Sequence, residues 1–154
     1  MAGSATERAT GGTAANSSGD RCGFLTRGIV ILDTNAISAW AENDAALMAV
    51  LPADRPWYVP SIVLGEFRYG LLGSTRRAEL EPWLDAVEQA CLILMPDALT
   101  ARRDGTLRRA LDAAAVRVPY HDLWIGALAL QHDLPVVSRD ADFEKMPGVR
   151  RLDW

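Results

Sequence analysis

The chain has 154 residues, enough for one ordinary domain and too few for two. Its 49% hydrophobic and 23% charged residues exclude global disorder and a collagenous class. Sixteen basic against 20 acidic side chains give a net charge of −4, which disfavours holding nucleic acid in a simple basic groove.

Residues 1–27 hold five of the twelve glycines, many Ser, Thr and Ala, and no apolar periodicity. They lack the apolar surface that offsets ordering entropy, so this extension is expected to be disordered. No run of seven apolar residues follows its charges, so it does not read as a signal peptide. Setting it aside leaves 13 basic and 18 acidic groups on residues 28–154, a net charge of −5. The folded domain is expected to span 28–154.

Gly28–Asp33 is a continuously apolar, β-branched run ending in a carboxylate, the pattern of a strand buried on both faces. Ala36–Trp40 and Ala45–Leu51 read as a helix broken near Asn43. Trp57–Pro60 is a second strand. Ser61 is placed to cap a helix through Leu72 that Gly73 stops. A helix over Thr75–Gln89 leads to a third strand, Cys91–Met95. Asp97 caps an arginine-rich helix reaching Ala115, and a further helix spans His121–Gln131. Pro135–Ser138 is the fourth strand and Val149–Leu152 a weak fifth. Strands alternating with helices predict an α/β fold with a parallel sheet of four to five strands covered on both faces. Sites in such folds lie at the carboxyl ends of strands. Cys22 and Cys91 cannot make a disulfide framework and fit a reduced, cytosolic chain. No stretch of about 18 apolar residues predicts a membrane span.

Carboxylates occur where apolar patterning does not call for them. Asp33 ends the most apolar strand, where it also suits the cap of the next helix. Glu66 lies inside Ile62-Val-Leu-Gly-Glu-Phe67. Ile62, Val63, Tyr69 and Gly70 share its helical face, which looks core-directed; an ion pair with Arg68 or Arg102 is the alternative use. Asp122 is the only acid of Leu123–Leu130's otherwise all-apolar helix, in the first turn, where the helix dipole favours negative charge. Asp140 and Asp142 follow the fourth strand, in a loop where acids also serve as turn formers. Jointly the four elements bring like charges to one sheet edge. Such charges raise one another's pKa unless a cation neutralises them. Oxygen donors without thiolates favour Mg²⁺ or Mn²⁺ over Zn²⁺. His121 and His132 are eleven apart, share no helical turn, and read as structural or solvated.

Leu32-Asp-Thr-Asn35 after an apolar strand resembles the opening motif of PIN-domain nucleases, in particular the VapC-type toxins of bacterial toxin–antitoxin pairs. Pro60-Ser-Ile-Val-Leu-Gly-Glu-Phe-Arg-Tyr-Gly70 puts Glu66 on the family's glutamate. His121-Asp-Leu-Trp-Ile-Gly-Ala-Leu-Ala129 puts its third acid on Asp122. Val137-Ser-Arg-Asp-Ala-Asp-Phe143, with Met146-Pro-Gly148, puts the fourth on Asp140, with Asp142 able to share or replace it. The likeness spans Gly28 to Trp154. Two positions depart from the family's usual pattern: His121 where Asn is common, and Ser138 where Thr is commoner.

The resemblance implies a three-layer PIN-like fold and Mg²⁺- or Mn²⁺-dependent cleavage of RNA. It also implies a homodimer and a cognate antitoxin. In that scheme Asp33, Asp122 and Asp140 ligate metal, and Glu66 ligates or orients the attacking water. Thr34 and Asn35 hold Asp33 in place, and Ser138 offers a hydroxyl to a carboxylate or water. Arg68, Arg76, Arg77, Arg102, Arg103, Arg108, Arg109 and Arg139 are available to phosphates; the competing use of the 97–115 arginines is a solvated face with an Asp104–Arg108 ion pair. Two other classes fit part of the pattern. One is a phosphotransferase with Asp33 as nucleophile; the other is a PIN-like module that has lost catalysis. A dinucleotide binder is disfavoured by the missing Gly-x-Gly-x-x-Gly after the first strand.

Overall fold

Val30, Ile31 and Leu32 are fully buried, and the chain's central strand, β1 (Ile31–Leu32), runs through them. The computed structural model describes residues 28–54 and 56–154. The extension 1–27, with the disorder expected of it and with Cys22, lies outside the described residues.

The elements follow the predicted alternation. After β1 come α1 (Thr34–Ala41), α2 (Ala45–Val50), β2 (Tyr58–Pro60), α3 (Ser61–Leu72) and α4 (Arg77–Ala90). Then follow β3 (Leu92–Leu94), α5 (Ala98–Ala113), α6 (Tyr120–His132), β4 (Val136–Val137), a 3₁₀ turn (Ala141–Lys145) and β5 (Arg151–Leu152). The sheet is five-stranded and wholly parallel, in the order β3-β2-β1-β4-β5. The helices flank it: α5 packs along α6, and α3 lies against α1, α4 and α6.

This strand order fixes where the site sits. From β1 the chain winds outward to β2 and β3. It then returns to the other side of β1 for β4 and β5. The winding reverses between β1 and β4, which pair through Ile31 with Val136 and Leu32 with Val137. A crevice opens at such a reversal, at the strands' carboxyl ends. Asp33 follows β1 directly, and Ser138 follows β4 directly.

Local chemistry explains most boundaries. Asp33 accepts the Ala36 N–H at 2.9 Å and starts α1 two residues before the predicted Ala36. Asn43, at φ 54°, takes the left-handed conformation that Asn tolerates and breaks α1 from α2. Asp97 and Thr100 form a reciprocal capping box at α5. The Ser61 cap is not formed: Pro60 holds the cap position of α3 and no side chain caps it. Trp40 meets Trp57 and Trp83 edge-on, and Phe67 closes this cluster beside the core. No helix among the described residues is long and apolar enough to cross a membrane.

Candidate active site

A pocket of about 340 Å³ opens at the β1–β4 switch point. Asp33, Thr34, Asn35, Ser38, Glu66, Asp122 and Asp140 line it. A larger surface depression, about 750 Å³, instead runs along the outer face of α5 and has no carboxylate in its lining. The smaller, acid-lined pocket is where titratable groups converge.

Each acid arrives from a different element. Asp33 stands at the β1–α1 junction and is 4% exposed. Its Oδ1 accepts from the Ala36 N–H and its Oδ2 from the Ser138 hydroxyl at 2.6 Å. Burial pushes its pKa up to about 6, against these hydrogen bonds, and the charge of Asp140 adds to the rise. The Ser138 hydroxyl also accepts the Asp140 N–H at 2.9 Å and an Asn35 amide N–H at 3.4 Å. Asn35 in turn accepts the Arg139 N–H at 3.0 Å. One serine therefore ties the ends of β1 and β4 together.

Thr34 departs from its expected task. Its hydroxyl donates to Glu66 Oε2, not to Asp33. Glu66 Oε1 faces His121 Nδ1 at 2.5 Å. Both oxygens of Glu66 are thus held, by α1 on one side and α6 on the other. Neither expected ion pair forms: Arg68 binds Asp85 and Glu88 along α4, and Arg102 does not reach Glu66. The Glu66 face is also less core-directed than its sequence suggests. Val63 is buried, but Tyr69 is 80% exposed, and Gly70 is exposed with it.

Asp122 sits in the first turn of α6, half-buried, with no hydrogen-bond donor among the described residues. Burial first, then the charges of Asp140, Glu66, Asp33 and Asp142, push its pKa up to about 6. The rest of α6 is buried from Leu123 through Ala129 apart from part of Trp124, as the all-round apolar sequence requires. Asp122, Asp140 and Asp142 each offer a carboxylate oxygen within 4.8 Å of the others. Asp142 is already paired with Lys145, and its N–H is held by Asp140 Oδ1 at 2.8 Å.

This donor set suits a hard divalent cation. A half-buried carboxylate without a donor, ringed by like charges, is a costly arrangement that bound positive charge relieves. The donors are oxygens, as Mg²⁺ and Mn²⁺ prefer.

His121 is the residue that sequence reading passed over. It is exposed, as a solvated histidine would be, yet it holds Glu66 from 55 positions away. Its signals in the sequence were its place beside Asp122 and its standing where Asn is common in the family. The arginines divide as well. Arg68, Arg76, Arg77 and Arg139 are committed to acids, and Arg108 pairs with Asp104 at 2.7 Å as expected.

Residues 30–149 match the model of the PIN domain. The chain belongs to the PIN-domain family. Among its relatives, ribonuclease VapC5 of Mycobacterium tuberculosis is 31% identical over 126 residues, 80% of this chain and 91% of that protein. Ribonuclease VapC4 of the same organism is 32% identical over 95 residues, 60% of this chain and 73% of that protein. The solved structure of VapBC-5, a toxin–antitoxin system of M. tuberculosis, superposes with a TM-score of 0.66 at 32% identity, over 82% of this chain and 98% of that one. VapBC2 of Rickettsia felis, solved on a DNA fragment from its promoter, shares the fold at a TM-score of 0.74 and 23% identity, covering 82% and 99%. The expected three-layer PIN-like fold is the one observed.

Proposed function

We propose that this PIN-domain chain is a Mg²⁺- or Mn²⁺-dependent endoribonuclease that acts as the toxin of a toxin–antitoxin pair. The observation that carries the chemistry is the gathering of Asp33, Glu66, Asp122 and Asp140 around one pocket at the switch point, with Asp122 lacking any donor. The biological role rests on relatives named ribonuclease VapC4 and VapC5 and on solved VapBC toxin–antitoxin complexes.

Asp33, Asp122 and Asp140 are the proposed metal ligands, with Asp142 an additional donor beside Asp122. When bound, the cation supplies a nucleophilic water at neutral pH and neutralises charge on the phosphate under attack. The protein's own task is placement. Ser138 and the Ala36 N–H fix the Asp33 carboxylate, while Thr34 and His121 fix that of Glu66. Glu66, held by both oxygens, is suited to orient a water through its remaining lone pairs. Asn35 acts one step further out, on Ser138 and Arg139. The partners proposed are an RNA substrate, a cognate antitoxin and a second copy of the chain.

The test is incubation of the purified protein with RNA in Mn²⁺ and in EDTA. Fragments only in Mn²⁺ are expected, with Asp33→Asn inactive. Equal cleavage in EDTA, or a fully active Asp33→Asn, refutes the proposal.

A further inference from the structure

Among the described residues, Arg102, Arg103, Arg109 and Arg117 have no acidic partner, whereas Arg68, Arg76, Arg77, Arg108, Arg139, Arg150 and Arg151 each hold one or two. All four lie on α5 or the turn joining it to α6. Among the described residues, the uncommitted arginines of a net-acidic domain are therefore confined to one region. That region leads to the first turn of α6, which carries Asp122.

A second pocket, of about 210 Å³, lies under this turn. Leu111, Val116, Val118 and Leu123 give it an apolar floor, and Arg108, Asp112, Arg117 and Tyr120 line the remainder. Tyr120 is 68% exposed, unusual for so large a ring. The Arg108 guanidinium covers part of it, 4.4 Å from the ring centroid, and is itself paired with Asp104, which is buried. The tyrosine is thus a propped ring with much of its surface in solvent. It starts α6, two residues before Asp122 and about 3 Å away along the helix axis. At that spacing the two side chains leave opposite sides of the helix end, so a strand crossing this end passes from one to the other.

We infer that this pocket is a nucleobase subsite for single-stranded RNA, next to the acid cluster. The inference rests on the ribonuclease reading above and adds where the substrate is gripped. An unpaired base stacks on the open part of the Tyr120 ring, which any base can do because every base has a π-face. The Asp112 carboxylate only accepts hydrogen bonds, and so meets the amino or imino N–H groups that every RNA base presents. Arg117 meets the adjoining phosphate. The unpaired arginines of α5 then attract the strand beyond it, through the salt-dependent release of its counterions. Acids line the metal pocket, and the unpaired arginines among the described residues stand on the helix and turn that lead to it.

The test is fluorescence anisotropy with a short, labelled single-stranded RNA. It uses the full chain carrying Asp122→Asn to stop cleavage, together with KM for RNA in the otherwise unaltered chain. Tyr120→Ala is expected to weaken binding and raise KM about tenfold or more, the size of one base–aromatic stack. Tyr120→Phe retains the ring and restores both. Arg117→Ala is expected to flatten the dependence of affinity on salt by close to one counterion. Tyr69→Ala, at the exposed tyrosine of α3, is the control and leaves binding unchanged. Equal affinity with and without the Tyr120 ring, absent binding included, overturns the subsite. If Tyr120-dependent binding is found but the unaltered chain never cleaves RNA in Mn²⁺, the subsite stands and the nuclease reading fails.

Discussion

Replacing Asp33 by Asn is predicted to stabilise the metal-free protein at neutral pH. The Asp33 carboxyl has its pKa pushed from 3.8 to about 6 in the folded state. A raised folded pKa means that folding favours the protonated acid. That stabilisation is fully present below pH 3.8, is lost as the pH rises through 6, and is absent at pH 7.5. The shift of about 2 pKa units corresponds to about 3 kcal/mol of folding free energy at neutral pH. Asn mimics the protonated acid and keeps the helix cap through its carbonyl oxygen. It cannot accept the Ser138 hydroxyl in the same way, which costs about 1 kcal/mol. A net gain of about 2 kcal/mol remains, on the order of 8 °C in Tm for a domain of this size. The assay is thermal unfolding of both proteins in EDTA at pH 7.5 and at pH 4. Asp33→Asn melts higher at pH 7.5, and the gap closes or reverses at pH 4. An Asp33→Asn protein that melts at or below the parent at pH 7.5, or a gap indifferent to pH, refutes the reasoning.

The remaining predictions concern the groups around this carboxylate and the scaffold behind it. Mn²⁺ at a hundred times its Kd is expected to stabilise the parent by about 2.7 kcal/mol, seen as a rise in Tm that Asp122→Asn lacks. Ser138→Ala removes a donor from Asp33 and an acceptor from Asp140 and Asn35, so metal affinity, read by calorimetry, falls about 10- to 100-fold. Asp97→Ala removes the capping box of α5 and lowers stability to urea by about 1 kcal/mol while RNA cleavage by the folded protein persists. Gly126→Ala drives a Cβ into the Met146 sulfur beneath α6 and costs about 1–3 kcal/mol in the same urea titration.

Patterns that repeat locally were legible in the sequence. The β-branched run before Asp33, the all-round apolar stretch after Asp122 and the Asp97 cap each announce their element, because burial and capping act within a few residues. The parallel sheet followed from their alternation, and the carboxyl ends of its strands drew attention to the acids after the first and fourth strands. What was not legible depends on distant partners. Thr34 was expected to support Asp33, but Glu66, 32 residues on, captures its hydroxyl. His121 read as structural or solvated because nothing in its own turn marks it as a partner of Glu66. Helical spacing grouped Tyr69 with buried neighbours, yet spacing does not tell which neighbouring elements cover a helix face, and Tyr69 is exposed. Ser61 suited a cap by type, but the helix is entered from Pro60 without one. The arginines follow the same rule. The i,i+4 pair Asp104–Arg108 was readable, whereas the capture of Arg139 by Asp44, 95 residues away, was not.

An acidic domain first looked unsuited to nucleic acid. Asp33, Glu66, Asp122, Asp140 and Asp142 converge on the switch point, where, in the function proposed, a divalent cation would turn their charge into a means of holding phosphate. Calorimetric titration of Mn²⁺ into the parent and into Asp122→Asn at pH 7.5 tests that claim most directly. Saturable binding by the parent, weakened at least tenfold in Asp122→Asn, is the predicted result. No binding by the parent, or equal affinity in both proteins, contradicts it.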